Sequence, residues 1–329
     1  MTTTSTTPAG VRTRTVPYAD RAAGPLLMDL YLPEAGGRPP VVMWLHGGGW
    51  FTGDRTLAPD LATHFAGRGI AMASIDYRLS GDATFPAQLH DVRAAIRFLH
   101  SRAGEFGVDP TRIGLWGASA GGHLAALAGV TGHMEQLTGE AVSPTDTGCE
   151  IQAVAASYPP VDLVGDRVAP GAALPGTDPH TSPEARLIGG LAAELPDLAR
   201  AASPHLQVTQ AAPAFHISHG TGDVLVPHAH SELLFDCLLA HGIPTELYLL
   251  HGYRHGFLNP AGRLDVAMTK VMDDGRLAAE EPVTASLRTS TDPAAPRPSE
   301  YGFATIGRFF EQHLLSTPID STTADRENP

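Results

Sequence analysis

The chain has 329 residues and is acidic: 35 Asp and Glu against 22 Lys and Arg give a formal charge of −13, which argues against nucleic acid or an anionic membrane as a partner. Hydrophobic residues make up 43% and charged residues 17%, as in an ordinary globular protein. The two cysteines, Cys149 and Cys237, are too few for a disulfide framework or a thiolate metal site, so we expect two free, buried thiols.

The N-terminal stretch 1–10 is rich in Thr and Ser, with no basic start and no apolar run of signal-peptide length. No segment of the sequence reaches the ~18 apolar residues of a membrane span. We therefore expect a cytoplasmic protein that does not bind membranes, with flexible tails at 1–10 and 316–329.

The first predicted strands lead to a glycine-rich loop. Residues 11–16 and 26–32 are predicted strands near a sheet edge, and residues 41–45 are continuously apolar, as in a strand covered on both faces. The last of these runs into the motif HGGGW at 46–50. Glycines let backbone amides approach a substrate carbonyl without side chains in the way, so this loop could stabilise an oxyanion. The alternative is a flexible glycine turn.

Helix and strand continue to alternate after this loop. Residues 57–67 predict a helix and residues 70–75 a buried strand, after which Asp76 and Arg78 are expected to brace a loop as a hydrogen-bonded pair. Apolar residues then recur at helical spacing in a helix that opens at Phe85-Pro86.

The stretch 112–130 carries the strongest chemical signal. An apolar strand ends in Gly-x-Ser-x-Gly, with the serine at position 119, and turns at once into an Ala/Leu-rich helix. This pattern is typical of a nucleophile elbow, in which Gly117 and Gly121 remove the Cβ atoms that would clash as strand and helix close on each other. Ser119 is therefore the predicted nucleophile, and an ordinary tight turn is the alternative.

Two further strands predict the partners of that serine. Asp223 follows the strand 214–219, and His255 follows the strand 245–250. Ser, Asp and His in this chain order, each just after a strand, are typical of a hydrolase triad on an α/β sheet. Asp162, after the strand 151–157, is the rival acid, and His251 is the rival base.

Residues 163–212 interrupt the alternation and predict a small cap over the serine, with short helices at 182–187 and 195–202. The whole chain, 1–329, is predicted to form a single domain. Four further histidines lack the spacing and paired carboxylates of a metal site, so we expect no metal and no cofactor. They are His216, His219, His228 and His230.

Five motifs, in order, resemble the α/β-hydrolase superfamily, and most closely its hormone-sensitive-lipase-like and bacterial feruloyl-esterase-like carboxylesterases. They are HGGGW at 46–50, DYRL at 76–79, RIGLWGASAGGHLA at 112–125, GTGDVLVP at 220–227 and YRHGF at 253–257. The resemblance covers residues 40–257 and a final helix, 303–315. It implies a mostly parallel central sheet of about eight strands, helices on both faces and a small cap.

The resemblance also implies roles for individual residues. Ser119 would be the nucleophile, His255 the base and Asp223 its orienting partner, while the amides of Gly48, Gly49 and Ala120 would form the oxyanion hole. Two features depart from the pattern. Ala118 stands where hormone-sensitive-lipase-like enzymes usually carry Asp, which favours the feruloyl-esterase-like group. Residues 259–300 form a long insertion that could cover the pocket or mediate a homodimer; within it 264–277 is predicted partly helical and 284–299 loop-like.

The predicted activity is hydrolysis of a small-molecule ester through an acyl-enzyme. Trp50, Phe51 and Tyr158 are expected either to line a pocket for short or aromatic acyl groups or to be core aromatics. The alternatives are an aryl formamidase, similar to kynurenine formamidases, and a non-hydrolytic biosynthetic or ligand-binding protein of the same fold.

Overall fold

A ten-stranded sheet forms the centre of the computed structural model, which describes residues 9–34, 37–132, 150–168, 178–263 and 268–315. The strands run in the order β1-β2-β4-β3-β5-β6-β7-β8-β9-β10. Their bounds are β1 Val11–Arg21, β2 Gly24–Pro33, β3 Val41–Leu45, β4 Ala71–Ile75, β5 Ile113–Ala118, β6 Ala153–Ser157, β7 Ala214–Gly220, β8 Thr245–Leu250, β9 Val283–Thr289 and β10 Asp292–Tyr301.

Helices cover both faces of this sheet. They are α1 Leu61–His64, α2 Ala87–Phe106, α3 Ala120–Val130, α4 Pro183–Ile188, α5 Pro196–Ala201, α6 Ala229–Ala240, α7 Arg276–Glu280 and α8 Phe303–Leu314. Alternate residues of β3 enter two separate hydrophobic clusters, Met43 with α2, α3 and α6, and Trp44 with α8. The sheet is therefore buried on both sides, as the continuously apolar β3 predicts.

The six strands from β3 to β8 are parallel, so their carboxyl ends meet at one edge of the sheet. On one side β1 and β2 form an antiparallel hairpin that pairs with β4, and on the other β9 and β10 form a second hairpin that pairs with β8. The loops after β3, β5, β7 and β8, which carry the predicted catalytic residues, all leave from the same edge. This topology brings those loops together.

The loop-like prediction for 284–299 is wrong, because this stretch forms most of β9 and β10. Val283, Ala285 and Leu287 of β9 point inward at a period of two and are buried. Proline cannot donate to a sheet, but it is tolerated here because β10 is an exposed edge strand, paired with β9 alone among the described strands. Prolines on such an edge also hinder pairing with another strand.

Several smaller predictions are refined by the structure. The predicted helix 57–67 is one turn of α-helix, α1, followed by a 3-10 turn at Ala66–Arg68. The insertion is helical at α7, and part of its predicted helix, 264–267, lies outside the described residues, as do Cys149 and most of both tails. Cys237 is free and half-buried. In the described part of the chain no helix is both long and apolar enough to cross a membrane.

Asp76 and Arg78 both brace the loop after β4, but the prediction that they pair with each other is wrong. The Asp76 carboxylate accepts hydrogen bonds from the backbone and the guanidinium of Arg55 at 2.9 and 3.2 Å. Arg78 instead binds the fully buried Asp91 of α2 through two bonds of 2.8 Å, and Arg21 of β1 joins the same carboxylate. Asp91 therefore connects β1, the loop after β4 and α2.

The predicted cap consists of α4, α5 and two 3-10 turns, with 169–177 outside the described residues. Its helices are short, and backbone and side-chain bonds fasten them to the body. The Leu187 carbonyl accepts from the amide of Phe85 at 2.7 Å, and His205, after α5, donates from Nδ1 to the Val161 carbonyl at 2.7 Å. The cap thus lies beside the carboxyl-end loops.

Candidate active site

The strand β5 ends at a sharp turn that carries Ser119 into α3. Ser119 has φ 56° and ψ −121°, a strained conformation for a residue with a side chain. A Cβ on Gly117 would lie 2.1 Å from the Gly121 carbonyl oxygen, and one on Gly121 would lie 1.9 Å from that of Leu45. Only glycine fits at either position, and the half-buried Ser119 hydroxyl stands at the sheet edge.

The glycine-rich loop after β3 packs directly against this turn. A Cβ on Gly47 would lie 3.1 Å from the Ala118 carbonyl oxygen and 3.4 Å from Ser119 Cβ. Gly48 and Gly49 have φ of 112° and 57°, values that favour glycine. Within the described residues the amides of Gly48, Gly49 and Ala120 have no protein acceptor. The three amides of the predicted oxyanion hole are therefore unoccupied donors.

Two aromatic side chains hold the glycine loop from below. His46 is fully buried and donates from Nδ1 to the Gly47 carbonyl at 2.7 Å, while its ring stacks on Tyr77 at 4.2 Å. The Tyr77 hydroxyl donates to the His46 carbonyl at 2.8 Å. Burial lowers the pKa of His46, so the imidazole is neutral at pH 7 and acts as a fixed hydrogen-bond donor.

Ser119, His255 and Asp223 form one hydrogen-bonded chain. His255 Nδ1 donates to Asp223 Oδ2 at 2.6 Å, and the Ser119 hydroxyl donates to His255 Nε2 at 2.8 Å. The acid and histidine loops can approach because a Cβ on Gly220 would lie 2.2 Å from the Tyr253 carbonyl oxygen. His255 and Asp223 are 5% and 6% exposed, so their bond is shielded from water.

The rival acid and base are occupied elsewhere. Asp162 binds backbone amides of its own loop, those of Gly165, Arg167 and Val168. His251 is exposed, and its Nε2 lies 2.8 Å from the hydroxyl of Ser286 in β9. The structure brings Asp223 and His255, rather than these two residues, to Ser119.

A second histidine, His219, also contacts the acid, a role that the sequence pattern did not predict. It is fully buried in β7, with Nε2 2.8 Å from the Val226 carbonyl and 3.2 Å from Asp223 Oδ2. Because the Val226 carbonyl can only accept, Nε2 carries a proton, and the Ser231 hydroxyl lies 2.7 Å from Nδ1. Burial alone would raise the pKa of Asp223, but the imidazoles of His255 and His219 hold it well below its ordinary value.

A buried hydrogen-bonded relay joins the glycine loop, α3 and the cap. Trp50, 1% exposed and held at φ 60°, donates from its indole to His123 Nδ1 at 3.2 Å. His123 Nε2 in turn donates to the Ala202 carbonyl, after α5, at 2.7 Å. Burial lowers the pKa of His123 to about 4, so this histidine is neutral at pH 7. Trp50 thus has the core position that was the alternative to a pocket wall.

The other two predicted pocket residues differ in exposure. Tyr158 is 1% exposed and packs its ring 4.8 Å from His255 and 4.6 Å from Phe257, behind the histidine. Phe51 is 40% exposed and lies under the guanidinium of Arg186 in the cap, 4.9 Å from its ring centre. Of the three aromatics, Phe51 is therefore the one that a substrate could contact from solvent.

The family comparison identifies this chain. The family model BD-FAE matches residues 28–238, which is more than half of the 329 residues. The chain belongs to the BD-FAE family. The match includes the glycine loop, Ser119 and Asp223 and bears out the resemblance to feruloyl-esterase-like and hormone-sensitive-lipase-like esterases. It ends before His255, so the position of that histidine relative to Ser119 comes from the structure.

Curated relatives of this BD-FAE protein are esterases. Esterase LipC of Mycobacterium tuberculosis is 31% identical over 228 residues, which is 66% of this chain and 53% of LipC. Isoprenylcysteine alpha-carbonyl methylesterase ICME of Arabidopsis thaliana is 31% identical over 255 residues, 74% of this chain and 56% of that protein. The chain spans about half the length of the curated relatives that it matches.

The match covers a larger share of two solved structures, both of esterases. A truncated carbohydrate esterase from gut microbiota is 31% identical with a TM-score of 0.65, covering 76% of this chain and 90% of that one. A thermophilic esterase, Est2 of Thermogutta terrifontis, is 26% identical with a TM-score of 0.60, covering 80% and 89%. These structures confirm the prediction of an α/β-hydrolase fold.

Proposed function

We propose that this protein is a serine carboxylesterase in which Ser119, His255 and Asp223 form the catalytic triad. The observation that carries the proposal is the continuous pair of hydrogen bonds, 2.8 Å from Ser119 to His255 and 2.6 Å from His255 to Asp223. The strained serine turn and the esterase relatives support it. Geometry of this kind activates a hydroxyl that is otherwise a weak nucleophile.

The reaction follows from the proton positions. His255 Nε2 takes the Ser119 proton as Oγ attacks the ester carbonyl, and the protonated imidazole then gives that proton to the departing alkoxide. An acyl-enzyme remains. His255 next takes a proton from water, which attacks the acyl carbon, and returning the proton to Ser119 Oγ releases the acid. The ionised Asp223 stabilises the imidazolium in both halves of the cycle.

The proposed oxyanion hole consists of the amides of Gly48, Gly49 and Ala120. Two observations support it: these amides have no protein acceptor among the described residues, and their loop contacts the serine turn. Because they are held in place before the reaction, they stabilise negative charge that develops only in the transition state. No metal or cofactor takes part in the proposed reaction.

The proposed substrate is a small ester with a short acyl group. The cap lies against the glycine loop, because a Cβ on Gly49 would lie 3.3 Å from Pro183 Cβ at the start of α4. Solved structures of the related Est2 contain bound propionate and butyrate, in line with a short acyl group. Phe51 is the proposed aromatic wall.

The test is hydrolysis of p-nitrophenyl esters from acetate to decanoate by the wild type, Ser119→Ala and, as a matched control, Ser101→Ala on the exposed side of α2. We expect activity that is highest at acetate to butyrate, is lost in Ser119→Ala and is unchanged in Ser101→Ala. Preferred turnover of an N-formyl aryl amide would replace the esterase assignment with aryl formamidase. A folded wild type that hydrolyses neither substrate would refute the catalytic role of Ser119.

A further inference from the structure

Three polar side chains meet where the cap joins the sheet. Asp162 and Asp166 lie on the loop after β6, and His205 lies in the 3-10 turn Pro204–Leu206 after α5. One ring nitrogen of His205 and one carboxylate oxygen from each aspartate lie within 4.8 Å of one another. We propose that these residues bind a divalent transition-metal ion and that the bound ion links the β6 loop to the cap. The ligand types favour Zn²⁺.

His205 has the hydrogen bonding of a metal ligand. It is 5% exposed, and Nδ1 lies 2.7 Å from the Val161 carbonyl, which can only accept, so Nδ1 carries the proton. Nε2 then presents a lone pair, and it is buried without a partner among the described residues. A metal-bound histidine typically donates its other nitrogen to a backbone carbonyl in this way. Without a ligand, a buried and unpaired acceptor is costly.

Asp162 supplies an ionised and rigid carboxylate. The backbone amides of Val168, Arg167 and Gly165 donate to this carboxylate and hold it in place. Oδ2 accepts from two of these amides and Oδ1 from one, at 2.8 to 3.0 Å. Since a carboxylate oxygen has two lone pairs, Oδ1 retains one for a cation.

Asp166 supplies the adaptable ligand. Two ligand atoms that each lie ~2.1 Å from one tetrahedral Zn²⁺ are about 3.4 Å apart. The three ligand atoms here lie within 4.8 Å of one another, so they must move closer together when the ion binds. Asp166 is exposed and can move, whereas Asp162 and His205 are buried. One imidazole and two carboxylates suit Zn²⁺, with water as a fourth ligand; Ca²⁺ requires six to eight oxygens.

The four histidines considered from the sequence are dispersed instead. His216 lies 2.6 Å from Glu246, His219 contacts Asp223, and His230 accepts from the amides of Val161 and Asp162. His228 pairs with Glu232 at 3.2 Å on α6, with about a third of each side chain exposed. That last pair is a natural control, because it offers surface imidazole and carboxylate without a buried, unpaired nitrogen.

The experiment is calorimetric titration of chelator-treated wild-type protein with ZnCl₂, together with thermal unfolding with and without Zn²⁺. We expect one equivalent to bind and the melting temperature to rise, because the ion binds only the folded state. Loss of the hydrogen-bond partner of a metal ligand typically weakens metal binding by roughly 10- to 100-fold. Asp166→Asn and His205→Gln change the ligands themselves, so each should weaken Zn²⁺ binding by at least that factor. His228→Gln should bind Zn²⁺ like the wild type.

Two results would overturn the proposal. The first is a wild type that binds no Zn²⁺; the second is wild-type affinity in Asp166→Asn, whether or not His228→Gln still binds the ion. Asp166→Asn decides the question even if His205→Gln fails to fold, because the exposed Asp166 side chain makes no hydrogen bond in the described residues. The readouts are affinity and melting temperature, so they are independent of the esterase assignment.

Discussion

The indole of Trp50 is the link through which the glycine loop is fastened to α3, and its removal has a calculable effect. In Trp50→Phe the aromatic packing largely remains, while the Nε1–H donor to His123 is lost. His123 Nδ1 is then a buried acceptor without a donor. We predict that this variant loses both stability and turnover.

The magnitude follows from the relay. Leaving a buried acceptor unpaired costs about 1–3 kcal/mol of unfolding free energy. Trp50 is also held at φ 60°, a backbone conformation that costs a non-glycine residue roughly 1–3 kcal/mol. Once the hydrogen bond to His123 is lost, the backbone at position 50 can relax, and this shifts Gly48 and Gly49. Losing one oxyanion donor costs about 3–4 kcal/mol of transition-state stabilisation. Partial displacement of the Gly48 and Gly49 amides should cost about 1.4 kcal/mol, which is a tenfold fall in kcat with KM nearly unchanged.

Trp44→Phe is the matched control. Trp44 is 2% exposed and donates to the Leu57 carbonyl at 3.0 Å, a part-buried indole hydrogen bond that does not involve His123. Urea unfolding should show similar losses of stability in both variants, whereas p-nitrophenyl acetate hydrolysis should show the fall in kcat only in Trp50→Phe. If both variants keep wild-type kcat, the relay does not position the oxyanion loop.

Three further predictions concern pH, the acid and the serine turn. Because burial lowers the pKa of His123 to about 4 while the unfolded value is near 6.5, the unfolded state binds the extra proton between these values. Stability should therefore fall by up to roughly 3 kcal/mol from pH 6.5 to 4, and urea unfolding of His123→Gln should show a smaller fall. Asp223→Asn should lower kcat about 10³- to 10⁴-fold in the p-nitrophenyl acetate assay; a loss below tenfold would exclude Asp223 as the acid. Gly121→Ala should prevent folding, since its Cβ would lie 1.9 Å from the Leu45 carbonyl oxygen, whereas circular dichroism should show Gly104→Ala folded, because nothing lies within 4 Å of that position.

Local sequence patterns were sufficient to predict the parts of the candidate site that are built from residues close together in the chain. The turn at Ser119 requires glycine at 117 and 121, so its geometry is visible in five consecutive residues. The motif at 46–50 is similarly local. By contrast, Trp50 and His123 are 73 residues apart, and no spacing rule connects an indole in one loop with an imidazole in a helix.

Chemistry that depends on tertiary contact was missed for the same reason. His219 and His205 look like scattered histidines in the sequence, and what distinguishes them is burial and the partner of each ring nitrogen. The stretch 284–299 was predicted loop-like, although the buried residues Val283, Ala285 and Leu287 recur at the period of two of a strand with one buried face. An exposed edge strand tolerates residues that a central strand excludes.

The choice between Asp162 and Asp223 shows where sequence reasoning ends. Both acids follow strands of the parallel sheet, and β6 and β7 are neighbours, so topology places both loops at the edge that carries Ser119. Both carboxylates accept backbone amides of their own loops, but they differ in which oxygens those amides use. In Asp162 three amides bind both oxygens, whereas in Asp223 two amides bind Oδ1 alone and Oδ2 remains for His255 and His219. Hydrogen bonding by the surrounding loops thus assigns one acid to the proposed triad and leaves the other available for a cation.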